Sequence, residues 1–157
     1  MNPETPPNKI PWPPIIIVGC IVAGFILRAF LPLPWAVGAA RDMLQGAGFV
    51  LILVAILLYT LTVRELWKHN TTVNPIGKSS HLVTTGPFAF SRNPIYLANV
   101  FLMVGIALAT SNAWLIIIAF IAAWLEQQFA IVREERHLEA RFGKAWRDYA
   151  KRVRRWV

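Results

Sequence analysis

The sequence predicts an all-α integral membrane helical bundle, with about four transmembrane helices followed by a C-terminal amphipathic interfacial helix. Of the 157 residues, 56% are hydrophobic and only 15% are charged. Soluble domains are typically about 45–50% apolar and about 25% charged, so this balance favours a membrane protein. Four apolar segments are long enough to cross or nearly cross a bilayer. The C-terminal residues combine an apolar helical face with many basic side chains, which is typical of a helix lying on a membrane surface.

The N-terminal part contains a proline-rich start and two apolar segments. Residues 1–13 hold five prolines and are predicted to form a flexible N-terminus. They are not interpreted as a cleaved signal peptide, because no small-residue cleavage site follows the first apolar run. Residues 14–69 are predicted to form two transmembrane helices, with apolar segments from about Pro14 to Leu31 and from about Met43 to Val63. The single cysteine, Cys20, excludes a disulfide within the chain.

The third and fourth apolar segments are predicted to form a tight antiparallel hairpin. The third runs from Ile95 to Thr110, and its 16 residues give a helix of about 24 Å, short of a hydrocarbon core of roughly 30 Å. The fourth runs from Ala113 to Val132 and is long enough to span. Only Ser111-Asn112 separates them, so the outer ends of the hairpin return to one membrane surface. Gly105 and Ala109 have a small-residue spacing that permits close helix contacts, within one chain or between chains.

The basic residues are distributed asymmetrically. Four crossings place the N-terminus, the connector 64–94 and the C-terminal tail on one side, and 14 of the 16 Lys and Arg residues fall there. The positive-inside rule then predicts that both termini and the connector are cytoplasmic. One face of the C-terminal helix is predicted to comprise Leu138, Phe142, Trp146, Tyr149 and Val153. Since nine basic residues lie in this tail beside a membrane, the net charge of +8 indicates an anionic lipid surface as the partner and no nucleic acid.

Polar residues collect where the hairpin meets that surface. The stretch HLVTTGPFAFSRNPIY, residues 81–96, precedes the third segment, and REE, residues 133–135, follows the fourth. One helical face is predicted to carry Glu126, Ala130, Arg133 and Glu134. Glu126 lies about six residues inside the apolar run, where a charge is costly, so its side chain is expected either to point toward the same polar pocket as Glu134 or to be protonated. The hairpin should therefore bring Asn93–Tyr96 and Arg133–Glu135 into one recess.

Several kinds of site do not fit this recess. The three histidines show no metal-ligand spacing with the acids, so no metal site is predicted. The chain has no G-x-x-x-x-G-K-[ST] loop, and no G-x-G-x-x-G follows a strand. A cationic ligand with hydroxyl groups fits better, because carboxylates attract positive charge and aromatic faces suit a cation or a base.

These residues resemble the isoprenylcysteine carboxyl methyltransferase family and its phospholipid methyltransferase relatives. The resemblance covers about residues 80 to 153, in the family's order and spacing. The matching elements are Leu82-Val83-Thr84, Gly86-Pro87-Phe88, Arg92-Asn93-Pro94-Ile95-Tyr96, Glu134-Glu135 with Leu138, Phe142-Gly143 and Tyr149. It implies an integral-membrane methyltransferase that uses S-adenosyl-L-methionine, with residues 70–157 as the catalytic and cofactor-binding region at the cytoplasmic face.

The resemblance also implies roles for individual residues. The cofactor-binding residues it predicts are Ser80, His81, Leu82, Val83, Gly86, Phe88, Asn93, Pro94, Ile95, Tyr96 and Glu134. The predicted catalytic residues are Arg92 and Glu135, which would brace the site, and Arg133. Eukaryotic members carry a substrate-binding Arg where this chain has Ala130, and Arg133 is the nearest cation. Asn93 stands where those members have His, which removes a titratable group from that position.

The methyl acceptor stays open at this point. The family implies a lipophilic small molecule or prenylated substrate entering from the bilayer, with an isoprenylcysteine-like carboxylate as the first interpretation. A phospholipid amine or a small thiol is the alternative. A different class of protein also fits the residues: a non-enzymatic membrane protein in which Arg92 pairs with Glu134 or Glu135 only to lock helices together.

Overall fold

The computed structural model describes residues 11–70 and 81–157, and every element in these ranges is helical. The elements in chain order are α1 (Trp12–Phe30), α2 (Ala39–Lys68), a 3-10 turn (Gly86–Ala89), α3 (Pro94–Ala109), α4 (Ala113–Glu126), a π-helical turn (Gln127–Ile131), α5 (Val132–Phe142) and α6 (Lys144–Arg152). The predicted fold class, an all-α membrane helical bundle, is confirmed. Residues 1–10, which hold most of the predicted flexible N-terminus, lie outside the described part of the chain.

Among the residues that the structure describes, three helical stretches are long and apolar enough to cross a membrane: Trp12–Phe30, Ala39–Lys68 and Ala113–Phe142. The last is continuous through α4, the π-helical turn and α5. The helix α3 is apolar but has only 16 residues, as the sequence predicted. The helix α2 has 30 residues, about 45 Å at 1.5 Å per residue, and extends beyond both predicted ends because its polar terminal turns continue the helix.

Close packing of α2 against α3 depends on two glycines. A Cβ atom added to Gly48 would lie 2.5 Å from the backbone nitrogen of Ala109 and 2.8 Å from the backbone oxygen of Gly105. A Cβ atom on Gly105 would lie 2.7 Å from the Ile52 side chain. Glycine therefore permits a backbone-to-backbone approach that any larger residue would prevent. The small-residue contact predicted around Gly105 forms within one chain.

The α3–α4 hairpin is closed by polar groups beside α1. Ser111 adopts a left-handed conformation, with φ of 54°, and Asn112 is buried. The Asn112 side chain donates a 3.0 Å hydrogen bond to the backbone oxygen of Gly24, and Arg28 donates to the backbone oxygen of Thr110. These bonds satisfy carbonyl groups on α1 and at the end of α3 where the hairpin turns. The predicted antiparallel hairpin is confirmed.

The C-terminal basic region forms two helices, although the sequence predicted one. Gly143 separates α5 from α6 and has a φ of 52°, a left-handed conformation that favours glycine. Trp146 and Tyr149 on α6 are buried, so the predicted apolar face is used for packing. The break at Gly143 turns the chain and allows its last residues to return to α3.

Candidate functional site

An ion-pair cluster centred on Glu135 joins three parts of the chain. Arg155, after α6, donates to both Glu135 oxygens, with Nε–Oε1 and Nη2–Oε2 distances of 3.1 Å and 2.6 Å. Arg92, just before α3, approaches Glu135 Oε1 at 3.4 Å. The hydrogen bonds to Glu135 favour charged Arg155 and raise the pKa of its guanidinium. The Arg92 and Glu135 side chains are only 14% and 12% exposed, so solvent screens this pair weakly.

The neighbouring acid, Glu134, binds the first turn of α3. Tyr96 donates its hydroxyl proton to Glu134 Oε2 across 3.0 Å. Tyr96 is 5% exposed, and its side chain packs with Ala130 and Ile131 of the π-helical turn. The two acids therefore contact different partners: Glu134 binds Tyr96 on α3, and Glu135 binds both arginines. The sequence prediction that the entrance of α3 and the twin acids lie together agrees with this geometry.

A second polar pair lies one helical turn further along α3. Asn99 donates from its side-chain nitrogen to Glu126 Oε1 across 2.7 Å. Glu126 is fully buried, and its Oε2 has no hydrogen-bond partner within residues 11–70 and 81–157. An isolated charge in such surroundings is costly, so the carboxyl group requires this partner. The two pairs, Tyr96–Glu134 and Asn99–Glu126, follow the α3–α4 interface into the bundle.

The π-helical turn determines which residue after α4 faces α3. A π turn advances about 82° per residue, compared with about 100° in an α-helix. In an uninterrupted α-helix, Arg133 would lie within about 20° of the Glu126 direction and Glu134 about 80° away. With the five residues of Gln127–Ile131 in π geometry, Glu134 falls within about 10° of Glu126 and Arg133 about 110° away. This rotation explains why Arg133 is exposed while Glu134 reaches Tyr96.

Residues 154–156, named here the C-terminal strap, lie across the start of α3. The backbone oxygen of Arg155 accepts hydrogen bonds from the Asn93 side chain at 3.0 Å and the Ser91 hydroxyl at 3.3 Å. The Arg92 backbone N–H donates to the Arg154 oxygen at 3.0 Å. Trp156 packs against the cluster containing Tyr96 and donates to the side-chain oxygen of Gln127 at 3.1 Å. The strap thus covers the residues just before α3, next to the helix that carries both acids.

The predicted residues nearer the start of the connector bind other elements. Gly86 has a φ of 60° and lies beside Glu65 of α2, and Thr85 donates to Glu65 across 2.5 Å. The backbone oxygen of Phe88 accepts the Tyr149 hydroxyl at 2.7 Å. Burial raises the pKa of Tyr149, which keeps its hydroxyl protonated as this donor. These contacts fix the connector between α2 and α6.

The structure brings together five of the predicted site residues: Arg92, Asn93, Tyr96, Glu134 and Glu135. Pro94 is buried at the first turn of α3, and Ile95 is half-buried beside it. Val83 is buried, Leu82 is half-buried, and His81 and Arg133 are exposed. Ser80 lies outside the described residues. The binding and catalytic roles of all these residues stay predictions.

Sequence reasoning missed the residues of the strap and Asn99, the partner of Glu126. Ser91, Arg155 and Trp156 carry no spacing signal, because their contacts join positions about 60 residues apart or depend on the turn at Gly143. Asn99 had a usable signal, since an amide inside an apolar helix usually has a polar partner. Within residues 11–70 and 81–157, no group of three or more His, Cys, Asp or Glu residues is arranged to hold a metal ion.

The chain is similar in sequence to a family of known proteins and to two individual proteins. The family model described as phospholipid methyltransferase matches residues 44–145, which include the start of α3, the hairpin and both acids. The chain is 39% identical to the nickel-cobalt-cadmium resistance protein NccN of Alcaligenes xylosoxydans xylosoxydans over 76 residues, 48% of this chain. That stretch spans only 35% of NccN, about a third of its length.

A second relative is an uncharacterized protein of Haemophilus influenzae, 48% identical over 50 residues, which cover 32% of this chain and 76% of that protein. No solved structure matches the chain. The family match covers well over half of the chain and includes the acids and the arginine that the sequence singled out. The phospholipid methyltransferase family lies within the superfamily of membrane methyltransferases that resemble isoprenylcysteine carboxyl methyltransferase. This chain belongs to the phospholipid methyltransferase family.

Proposed function

We propose that this chain is an integral-membrane methyltransferase that uses S-adenosylmethionine and acts on a lipophilic acceptor entering from the bilayer. One observation carries the proposal: the Tyr96–Glu134 hydrogen bond of 3.0 Å lies beside the doubly paired Glu135, within the segment that matches the family. Acids, arginines and aromatic rings are thereby concentrated in one recess where the hairpin ends. The basic residues around this recess support a cytoplasmic location for it, by the positive-inside rule.

The side chains of the recess fit the polar groups of a sulfonium cofactor. A carboxylate accepts several hydrogen bonds, so Glu134 retains acceptor capacity beyond the bond from Tyr96. In our proposal Glu134 binds the amine or a ribose hydroxyl, and Tyr96 holds the Glu134 carboxylate in position. The half-buried ring of Trp156, which packs against the cluster containing Tyr96, offers an apolar face suited to a cation or a base. The connector residues predicted from the sequence complete the walls.

Bound S-adenosylmethionine supplies a methyl group on a positively charged sulfur, which is already activated for transfer. The protein must then hold the acceptor atom about 3–3.5 Å from the methyl carbon and exclude water. Glu135 contributes by fixing α5 to Arg92 and to the strap through its two ion pairs. A carboxylate acceptor needs no base, whereas an amine or a thiol must first lose a proton.

The acceptor class follows from the resemblance and from the family. An isoprenylcysteine-like carboxylate is the first acceptor to test, and a phospholipid amine or a small thiol is the second. Purified protein in detergent is incubated with methyl-labelled S-adenosylmethionine and either prenylcysteine analogues or lipid extracts. Label in the prenylcysteine fraction supports the first acceptor, and label in the lipid fraction supports the second. No transfer to any acceptor by folded protein contradicts the proposed activity.

Cofactor binding is tested separately by calorimetric titration with S-adenosylhomocysteine. Glu134→Gln should weaken binding about 10- to 150-fold, which corresponds to the loss of a charge-assisted hydrogen bond of about 1.5–3 kcal/mol. Glu139→Gln is the matched control, because Glu139 lies on the same helix, is exposed and forms an exposed ion pair with Arg147 at 3.7 Å. Unchanged affinity in Glu134→Gln removes this residue from the site.

The doubly paired Glu135 also favours a second candidate function. In a non-enzymatic membrane protein, the bonds from Arg92 and Arg155 would serve only to lock the helices together. Under that hypothesis S-adenosylhomocysteine gives no heat of binding and Glu134→Gln changes nothing but stability. The titration therefore distinguishes the two functions.

A further inference from the structure

A cleft of about 430 Å³ opens on the side of the Glu135 cluster that faces α6. Among the described residues, five cationic residues line it: Arg92, Arg136, Arg147, Lys151 and Arg155. The carboxylates in this described lining are Glu135 and Glu139, so these seven residues carry a formal net charge of +3. We call it the basic cleft. None of the predicted cofactor-binding residues is among those that line it.

The cations of the basic cleft exceed the acids available to neutralise them. Glu135 is shared by two arginines, and Glu139 contacts Arg147 at 3.7 Å. Arg136 and Lys151 line the cleft from α5 and α6, are exposed, and form no ion pair within the described residues. Uncompensated positive charge converging on one concavity attracts an anion more strongly than the same charges dispersed over a surface.

The floor of the basic cleft contains a preorganised arginine. The Arg92 guanidinium lies 5.6 Å from the ring centroid of Trp146, which is itself 5% exposed. This stacking and the contact with Glu135 hold the guanidinium in one orientation. Its Nε atom is buried and has no hydrogen-bond partner in the described ranges, 11–70 and 81–157. The ring contact and the contact with Glu135 therefore present a guanidinium of fixed orientation to the cleft.

We propose that the basic cleft binds a phosphate group. Fixed guanidinium donors match phosphate oxygens in geometry, and the flanking Arg136 and Lys151 add the charge that a phosphate requires. In the proposed orientation, with the hairpin ends at the cytoplasmic surface, the cleft lies near the lipid headgroups, where basic residues attract acidic lipids. Two kinds of molecule could supply the bound phosphate group: an acidic membrane lipid, through its phosphodiester, and free inorganic phosphate. The proposal does not depend on methyl transfer, since binding is measured without S-adenosylmethionine.

Two pairs of substitutions test the basic cleft in the full-length chain in detergent. Arg136→Gln with Lys151→Gln removes two charges from the cleft without touching the Glu135 ion pairs. The matched control, Arg141→Gln with Lys144→Gln, removes two exposed charges from the same two helices outside the cleft. Native mass spectrometry measures binding of phosphatidylglycerol against phosphatidylcholine, and calorimetry measures binding of inorganic phosphate against chloride at equal ionic strength.

The cleft variant should lose about tenfold or more in affinity for the phosphate probe, and the control variant should stay within about twofold of the parent. Selective phosphatidylglycerol binding that is lost in the cleft variant identifies the lipid as the source. Phosphate binding without lipid selectivity, lost in the same variant, identifies free phosphate. The proposal is overturned if neither probe binds, or if both variants lose affinity equally, since the attraction would then come from the general surface charge.

Discussion

Replacement of Glu135 by Gln tests whether this residue fixes the C-terminal strap. The change keeps the size of the side chain but removes the charge shared by Arg92 and Arg155. Hydrogen bonds to charged groups contribute about 1.5–3 kcal/mol each when buried. The two bonds from Arg155 contribute less than this to the free energy of unfolding, because its side chain is 35% exposed and solvent screens the charges. The 3.4 Å contact to Arg92 is well shielded from solvent. We expect a loss of about 2–4 kcal/mol in stability.

Thermal unfolding in detergent, followed by circular dichroism, measures this loss. A change of 2–4 kcal/mol should lower Tm by about 5–15 °C in a chain of this size. The control is Glu139→Gln, whose ion pair is 51–56% exposed and should shift Tm by about 2 °C or less. A double-mutant cycle with Arg155→Gln should give coupling of about 1–2 kcal/mol. A Tm for Glu135→Gln equal to that of the control would refute the reasoning that this cluster holds the strap.

Three further predictions concern the helices behind the recess. Tyr96→Phe removes the hydrogen bond to Glu134, and calorimetry should show about fivefold weaker binding of S-adenosylhomocysteine to the folded variant. Equal affinity would contradict a positioning role for Tyr96. Gly48→Val should force α2 away from α3 and reduce the yield of monodisperse protein. Gly46→Val, which has open space around its Cβ position, should give the same yield as the parent protein. Asn99→Leu should lower Tm by about 5 °C or more because it leaves Glu126 without its hydrogen-bond donor. Adding Glu126→Leu should restore most of this loss. If Tm does not recover in the double variant, side-chain packing rather than the polar pair determines stability at this position.

The fold could be predicted because its signals are local and strong. Each apolar run is a continuous stretch of sequence, and the two residues between the third and fourth runs leave no alternative to a hairpin. The pairing of the α3 entrance with the twin acids followed directly, since the two ends of a hairpin meet. Arg92 with Glu135 and Tyr96 with Glu134 are the resulting contacts.

The rest of the site depended on features without a local signal. The strap contacts α3 only because Gly143 turns the chain, and a helical-periodicity argument carries the apolar face straight through that position. Arg133 was placed on the inner face by counting α-helical turns, and the π-helical turn moves it outward. The basic cleft requires side chains from the connector, α5 and α6 to converge, which no single segment encodes.

The π-helical turn also makes the charge opposite Tyr96 depend on backbone hydrogen bonding as well as on sequence. Conversion of Gln127–Ile131 to α-helix at unchanged length would put a cation there in place of an acid, and the local potential would change sign while every residue stayed the same. Deletion of one of these five residues would also restore α-helical phase, but it would leave an acid seven positions after Glu126 and therefore still facing inward. The single additional residue of the π turn and its hydrogen-bond pattern thus act together to determine which charge this helix presents to α3.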